Sequence, residues 1–332
     1  MIAFYEFNSI LFEIQLNNSN FVTLMETSTF VLNQFKSDDL TELTTYHWSC
    51  ENPKAILHIV HGMSEHAARY DHFANFMVNN GFEVFSSDLR GHGKTAGKLD
   101  NVGQFALNNG WDRVVKDLSL LTEHFKNNRK LPVYILGHSM GSFLARTLIK
   151  DYPSVGDCYI FSATAGHPGL LGIAGKKLAG ANAFFLGKKN RSQLLTKMAF
   201  GDFNKKYENP RTEKDWLSKD TDVVDKYIAD EYCMQTFTGQ FFEDLLDGIL
   251  RINSSAYLNG TPKNKPVYMF AGDMDPVGNY GKGPKEVLKR FKEVGIKDIE
   301  LKMYPDGRHE MLNETNKEEV YNDLLTWMNK KL

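Results

Sequence analysis

Ser139 lies in Gly137-His138-Ser139-Met140-Gly141, and a serine with glycines two residues to either side is a pattern that can turn a hydroxyl into a nucleophile. The preceding Val133-Tyr134-Ile135-Leu136 predicts a buried strand, and residues 142–150 carry apolar side chains at helical spacing. A strand running straight into a helix through this pentapeptide makes a tight elbow. The serine then takes a strained backbone angle, and the glycines leave room that a Cβ would fill. A serine hydroxyl is a weak nucleophile at neutral pH, so it needs a base, an acid to orient the base, and N–H donors for the oxyanion. After such an elbow the partners follow in the order serine, acid, histidine. The predicted strand over residues 266–272 ends in Asp273-Met274-Asp275, which offers two acids. A second strand, residues 299–304, leads into Pro305-Asp306-Gly307-Arg308-His309. Of the ten histidines His309 alone lies downstream of those acids, so it is the single candidate base.

Three segments taken together, His61-Gly62-Met63-Ser64-Glu65-His66-Ala67-Ala68-Arg69-Tyr70, Ser87-Asp88-Leu89-Arg90-Gly91-His92-Gly93 and the elbow itself, carry a resemblance. Over roughly residues 40 to 330 the chain resembles the monoacylglycerol lipase and lysophospholipase family of α/β-hydrolases. The resemblance implies the α/β-hydrolase fold, a mostly parallel sheet flanked by helices with an inserted helical cap. It implies Ser139 as nucleophile, His309 as general base and, by the register of Gly272-x-x-Asp275, Asp275 as the acid. It also implies the backbone amides of Met63 and Met140 as the oxyanion hole, the second being the amide that elbow geometry itself requires. Neither cofactor nor metal is expected. The expected substrate is a single acyl chain esterified to glycerol or to a glycerophospho head group.

Other polar residues near these motifs have plainer roles. His138 is expected to pack beneath the turn, and His61 and His66 to hold the oxyanion loop by hydrogen bonds. The Asp88-x-Arg90-Gly91-His92-Gly93 run reads as a loop that needs fixed charges and glycines for close packing.

The elements that must position these groups alternate as an α/β sheet does. Residues 29–35 and 44–50 form an antiparallel pair around Ser37-Asp38-Asp39. Residues 54–60 are a buried strand delivering the oxyanion loop, 69–80 a helix stopped by Gly81, and 83–87 a strand. Trp111, Val114, Val115, Leu118, Leu121 and Phe125 recur at helical spacing. Residues 158–162 are a strand, and residues 317–330 a closing helix. About a hundred residues separate the strand ending near Thr164 from the one starting at Pro266, far more than a crossover needs. Residues 166–250 are therefore expected to be a cap over Ser139, inserted in a core of residues 25–165 and 251–332. Within it Leu170, Phe184, Phe185 and the cluster Phe237, Phe241, Phe242 are candidates for an acyl pocket, with ordinary packing as the alternative. The stretch from Pro168 to Lys189 mixes apolar residues with paired lysines. It suits a transient contact with a membrane surface, or equally a cap helix packed on the core.

Composition bounds the rest. A hydrophobic fraction of 42% supports a sizeable core, and a net charge of -2 with no basic aromatic stripe speaks against nucleic acid as a partner. Cys50, Cys158 and Cys233 are too scattered for a disulfide framework, show no metal-ligand spacing, and suit a reducing, cytoplasmic setting with peripheral membrane contact as the variant. Residues 1–35 contain no lysine or arginine, so the positive start of a secretory signal is missing, and residues 1–24 read as an extension outside the domain. Two rival functions remain. A serine aminopeptidase of the proline iminopeptidase type would need cap acids such as Glu208, Glu213 and Glu243 to hold a free amine. A non-catalytic hydrolase-like receptor would dispense with triad members, whereas all are present here. Oligomeric state is not legible.

Overall fold

A strand such as Ala55-Ile56-Leu57-His58-Ile59-Val60, apolar at almost every position, can only be buried on both faces, which calls for helices on both sides of a sheet. The computed structural model describes residues 30–126, 129–201 and 203–332, and has that architecture; the expected extension over residues 1–24 lies outside the described residues. Eight strands form one sheet: β1 (Val31–Lys36), β2 (Glu42–Trp48), β3 (Ala55–Val60), β4 (Phe82–Ser87), β5 (Val133–His138), β6 (Cys158–Ser162), β7 (Val267–Gly272) and β8 (Ile299–Tyr304). Their spatial order is β1-β2-β4-β3-β5-β6-β7-β8. β2 runs antiparallel to both β1 and β4, and every later pairing is parallel. The fold is the expected α/β-hydrolase fold.

Period-two alternation divides each central strand between two cores. Ile56, Val60 and Ile135 face one layer with α2 (Gly110–Lys126), α3 (Met140–Asp151) and α9 (Lys282–Glu293). Leu57, Ile59, Tyr134 and Leu136 face the other, with α1 (Asp71–Asn79) and α10 (Lys317–Asn329). The helix expected over residues 69–80 is split, because Ala67–Tyr70 forms a 3₁₀ turn before α1 begins at Asp71.

Between β6 and β7 lie α4 (Gly169–Leu186), α5 (Gln193–Phe200), α6 (Thr221–Ala229), α7 (Gly239–Ile252) and α8 (Ser255–Asn259). α7 packs against α4 on one side and against α2 and α3 on the other, and so joins the inserted helices to the sheet layer. Side-chain caps start α5 to α8: Ser192, Asp220, Thr238 and Ser254 each accept a backbone N–H of the first turn.

Candidate active site

At the end of β5 the backbone of Ser139 takes φ 52° and ψ -119°, a conformation costly for any residue with a side chain. Its neighbours hold it there. The Ser139 N–H donates to the Ser162 carbonyl at 2.9 Å, and the Ser142 N–H and hydroxyl donate to the Ser139 carbonyl at 2.9 and 2.6 Å. A Cβ on Gly137 would come within 2.2 Å of the Gly141 carbonyl oxygen, and one on Gly141 within 2.1 Å of the Val60 carbonyl oxygen. The two glycines are thus required by close backbone approach. Met140 opens α3, so its N–H belongs to the first turn, where no intrahelical acceptor exists. The loop after β3 comes alongside, for a Cβ on Gly62 would lie 3.1 Å from the Ser139 Cβ. Met63 follows, and its N–H donates to no protein acceptor among the described residues.

Asp275 and His309 are brought together by a second close approach. A Cβ on Gly272 would meet the Gly307 carbonyl oxygen at 2.0 Å, so only glycine lets the end of β7 touch the loop after β8. His309 Nδ1 donates to Asp275 Oδ1 at 2.9 Å, and the same oxygen accepts the Val277 N–H at 2.9 Å. Both side chains are buried. Burial by itself would lower the His309 pKa. The charge and hydrogen bond of Asp275, with Glu310 and Glu65 behind it, outweigh burial and leave His309 above the usual 6.5. Asp273 is turned outward, exposed, and accepts the Asp306 N–H at 2.8 Å.

A buried ion network ties the loop after β3 to the histidine loop after β8. Glu65 accepts the Gly62 N–H and, at 2.9 Å, the Tyr70 hydroxyl. Arg69 donates to Glu65 at 2.9 Å and, in bidentate fashion, to Glu310 at 2.8 and 2.7 Å. Burial would raise the Glu310 pKa, but Arg69 overrides it and holds that carboxyl at about 2. His61 Nε2 accepts the Leu89 N–H at 2.9 Å and its Nδ1 lies 2.8 Å from the Gly62 carbonyl, which defines its tautomer. His66 bonds Asp230 at 2.7 Å. His138 bonds the Ser162 hydroxyl at 3.0 Å and packs 4.8 Å from the His309 ring. Asp88 accepts the Ala67 and Lys94 N–H groups, and Arg90 bridges Asp117 and Asp39, so this run organises its loop. Gly91 and Gly93, both at positive φ, face the Gln104 backbone and the Asp88 carboxyl at distances no Cβ could share.

A cavity of about 510 Å³ opens onto Ser139 and His309 and is walled chiefly by apolar side chains, among them Met63, Phe143, Phe200, Phe203, Leu245 and Ile249. The expected pocket residues are elsewhere. Leu170, Phe184 and Phe185 stand on the outer side of α4, 84%, 82% and 79% exposed. Phe237 and Phe241 are fully buried, but against Phe105 and His92 and away from the cavity. α4 is apolar on nearly every side, so spacing cannot say which side faces inward, and an i, i+4 aromatic pair serves packing as readily as a pocket. Nothing in its spacing marks Trp216 as more than scaffolding of the insertion, yet its ring lies 5.0 Å from the His309 ring. Its carbonyl accepts the His309 N–H at 3.3 Å, and the Leu217 carbonyl accepts the Glu310 N–H at 2.7 Å. The inserted segment thereby holds the histidine loop from above.

The strand order, the serine elbow and the histidine-carboxylate pair at the sheet's edge define an α/β-hydrolase. The family model described as serine aminopeptidase, S33 matches residues 51–316, and the chain belongs to that family. It is 27% identical over 290 residues to a monoacylglycerol lipase of Mycolicibacterium smegmatis, covering 83% of this chain and 89% of the relative. To the monoglyceride lipase of Mus musculus it is 25% identical over 287 residues, covering 83% and 82%. A thermostable carboxyl esterase from Bacillus coagulans, solved in complex with glycerol, superposes with a TM-score of 0.84 at 26% identity, covering 92% of this chain and 99% of the esterase. These likenesses place the chain among the carboxylic-ester hydrolases of the family.

Proposed function

We propose that this protein hydrolyses monoacyl esters, with glycerol or a glycerophospho group as the alcohol, through an acyl-enzyme formed on Ser139. His309 takes the Ser139 proton, the alkoxide attacks the ester carbonyl, and the Met63 and Met140 amides hold the tetrahedral oxyanion. Asp275 keeps the Nδ1 proton on His309, so that Nε2 is free to act as base. The alcohol departs with the proton from His309, and water activated by the same imidazole releases the fatty acid. The observation that carries this reading is the chiefly apolar cavity lined by Ser139 and His309, which suits one acyl chain. A free amine is poorly provided for. Glu208 and Glu213 are exposed, Glu243 does not line the cavity, and Glu65 and Glu310, which do, are committed to Arg69. Glu286 at the wall is accompanied by Lys282.

Burial of each methylene contributes about 0.8 kcal/mol, so kcat/KM should climb up to about fourfold per added CH₂ until the cavity is filled. Monoacylglycerols and lysophospholipids of graded length, with aminoacyl-naphthylamides as the rival substrates, test this on wild type, Ser139→Ala and Phe203→Ala with Leu245→Ala. Ser139→Ala should lose several orders of magnitude of turnover and all fluorophosphonate labelling. The double variant should flatten the climb. Indifference to chain length combined with turnover of the naphthylamides would favour the peptidase.

The exposed apolar side of the inserted helices, Leu170, Leu171, Phe184 and Phe185 on α4 with Leu194 and Met198 on α5, supports contact with a membrane surface, where such substrates reside. Lys176, Lys177, Lys188 and Lys189 lie along and just beyond α4. Among the described residues no helix is long and apolar enough to cross a membrane.

A further inference from the structure

Away from Ser139, the fold gathers three side chains with the donor chemistry of a metal site. His66, from the loop after β3, and Asp230 and Cys233, from the segment after α6, place one nitrogen, one oxygen and one sulfur within 4.8 Å of one another. His66 Nε2 and Asp230 Oδ2 are 2.7 Å apart. Tetrahedral zinc, with metal-ligand bonds of about 2.0–2.3 Å, needs its ligands roughly 3.3–3.8 Å apart, a spacing these two distances bracket. Small rotations of the side chains would meet it.

Two further features favour an ion. The supporting contacts are built: Asp230 Oδ1 accepts the Tyr232 N–H at 2.8 Å, which leaves Oδ2 for the site, and the Cys233 carbonyl accepts the Ser64 and Tyr227 hydroxyls. Access exists as well, since the His66 and Asp230 side chains are 14% and 28% exposed while Cys233 is fully buried.

We propose that His66, Asp230 and Cys233 bind a divalent ion of the zinc class, with water as the fourth ligand, and that the ion fastens the inserted segment to the oxyanion loop. Binding displaces the Cys233 thiol proton to solvent and replaces the His66–Asp230 hydrogen bond by two metal bonds. Mixed nitrogen, oxygen and sulfur donors select zinc or cobalt over magnesium or calcium, which prefer oxygen. The site is independent of the hydrolytic reading, so its test is one of binding.

The full chain, stripped with a chelator and kept reduced, is titrated with Co²⁺ and then with Zn²⁺. One equivalent of Co²⁺ should produce the near-ultraviolet thiolate-to-cobalt charge-transfer band and the visible bands of tetrahedral cobalt, and Zn²⁺ should erase both. Cys233→Ser should abolish the charge-transfer band, His66→Gln should weaken Zn²⁺ binding at least about tenfold, and Cys50→Ser should change nothing. Wild-type protein without a saturable cobalt spectrum would leave His66 and Asp230 as an ion pair only, and overturns the proposal without recourse to any variant. Zinc bound with undiminished affinity and stoichiometry by a folded Cys233→Ser protein overturns it equally.

Discussion

Two carboxylates leave β7 within three residues, and their surroundings separate them. Asp275 is buried with His309 Nδ1 on one oxygen, whereas Asp273 is exposed and caps a backbone N–H. Asp275→Asn should therefore lower kcat on the order of 10⁴-fold by stabilising the wrong imidazole tautomer. Asp273→Asn should cost less than about tenfold. Steady-state kinetics on one ester substrate compares the two, and the reverse ranking would move the acid to Asp273. In the proposed reaction the environment of His309 also sets the acid limb. Its folded pKa lies above 6.5, because Asp275 outweighs the opposing effect of burial, and only the neutral imidazole can accept the serine proton. kcat/KM should accordingly fall with decreasing pH through a midpoint above 6.5. A midpoint well below that value would show that Asp275 does not stabilise the imidazolium in the free enzyme.

Loops after β3 and β8 meet through Arg69, which lies between Glu65 of the first and Glu310 of the second. Removing the guanidinium leaves two buried carboxylates unpaired, so Arg69→Met should destabilise the fold by about 3–5 kcal/mol, read from the denaturant midpoint at neutral pH. The sign with pH follows from Glu310. Its pKa is depressed to about 2, so its contribution is present above the ordinary glutamate value of 4.5 and is lost as pH falls from there through about 2. The wild type should lose stability across that window, and Arg69→Met should lose less. Equal acid sensitivity of the two proteins would place the ion pair outside the stability balance.

At the scale of the whole molecule, the largest exposed apolar side chains among the described residues gather on α4 and α5, the side of the insertion turned away from the sheet. Vesicle co-sedimentation tests whether that side meets lipid. Wild type should bind anionic vesicles, and Leu171→Asp with Phe184→Asp should lower binding at least about tenfold, since several exposed apolar side chains each contribute 1.5 kcal/mol or more on burial. Hydrolysis of a short soluble ester should be unchanged, because neither residue lines the cavity. Undiminished vesicle binding by the double variant would assign the apolar side to another role.

Local sequence was sufficient wherever the deciding force is local. The elbow at Ser139 is written in a strand, two glycines and a helix that touch in sequence. The order of acid and histidine follows from strands whose apolar runs are long enough to read, as β6 and β8 show by starting and ending where their residue types predict. Gly272 marks the end of β7 because only glycine fits there. What sequence could not decide is which side of an apolar element faces which neighbour. α4 is apolar nearly all round, so Phe184 and Phe185 could have lined the cavity; packing of α7 against α4 turned them to solvent and left Phe200, Phe203 and Leu245 as the wall. Trp216, set over His309, and Cys233, set beside His66, likewise come from segments distant in the chain. Their placement depends on long-range packing of the insertion on the sheet, a sum of many small contacts that no short run of residues encodes.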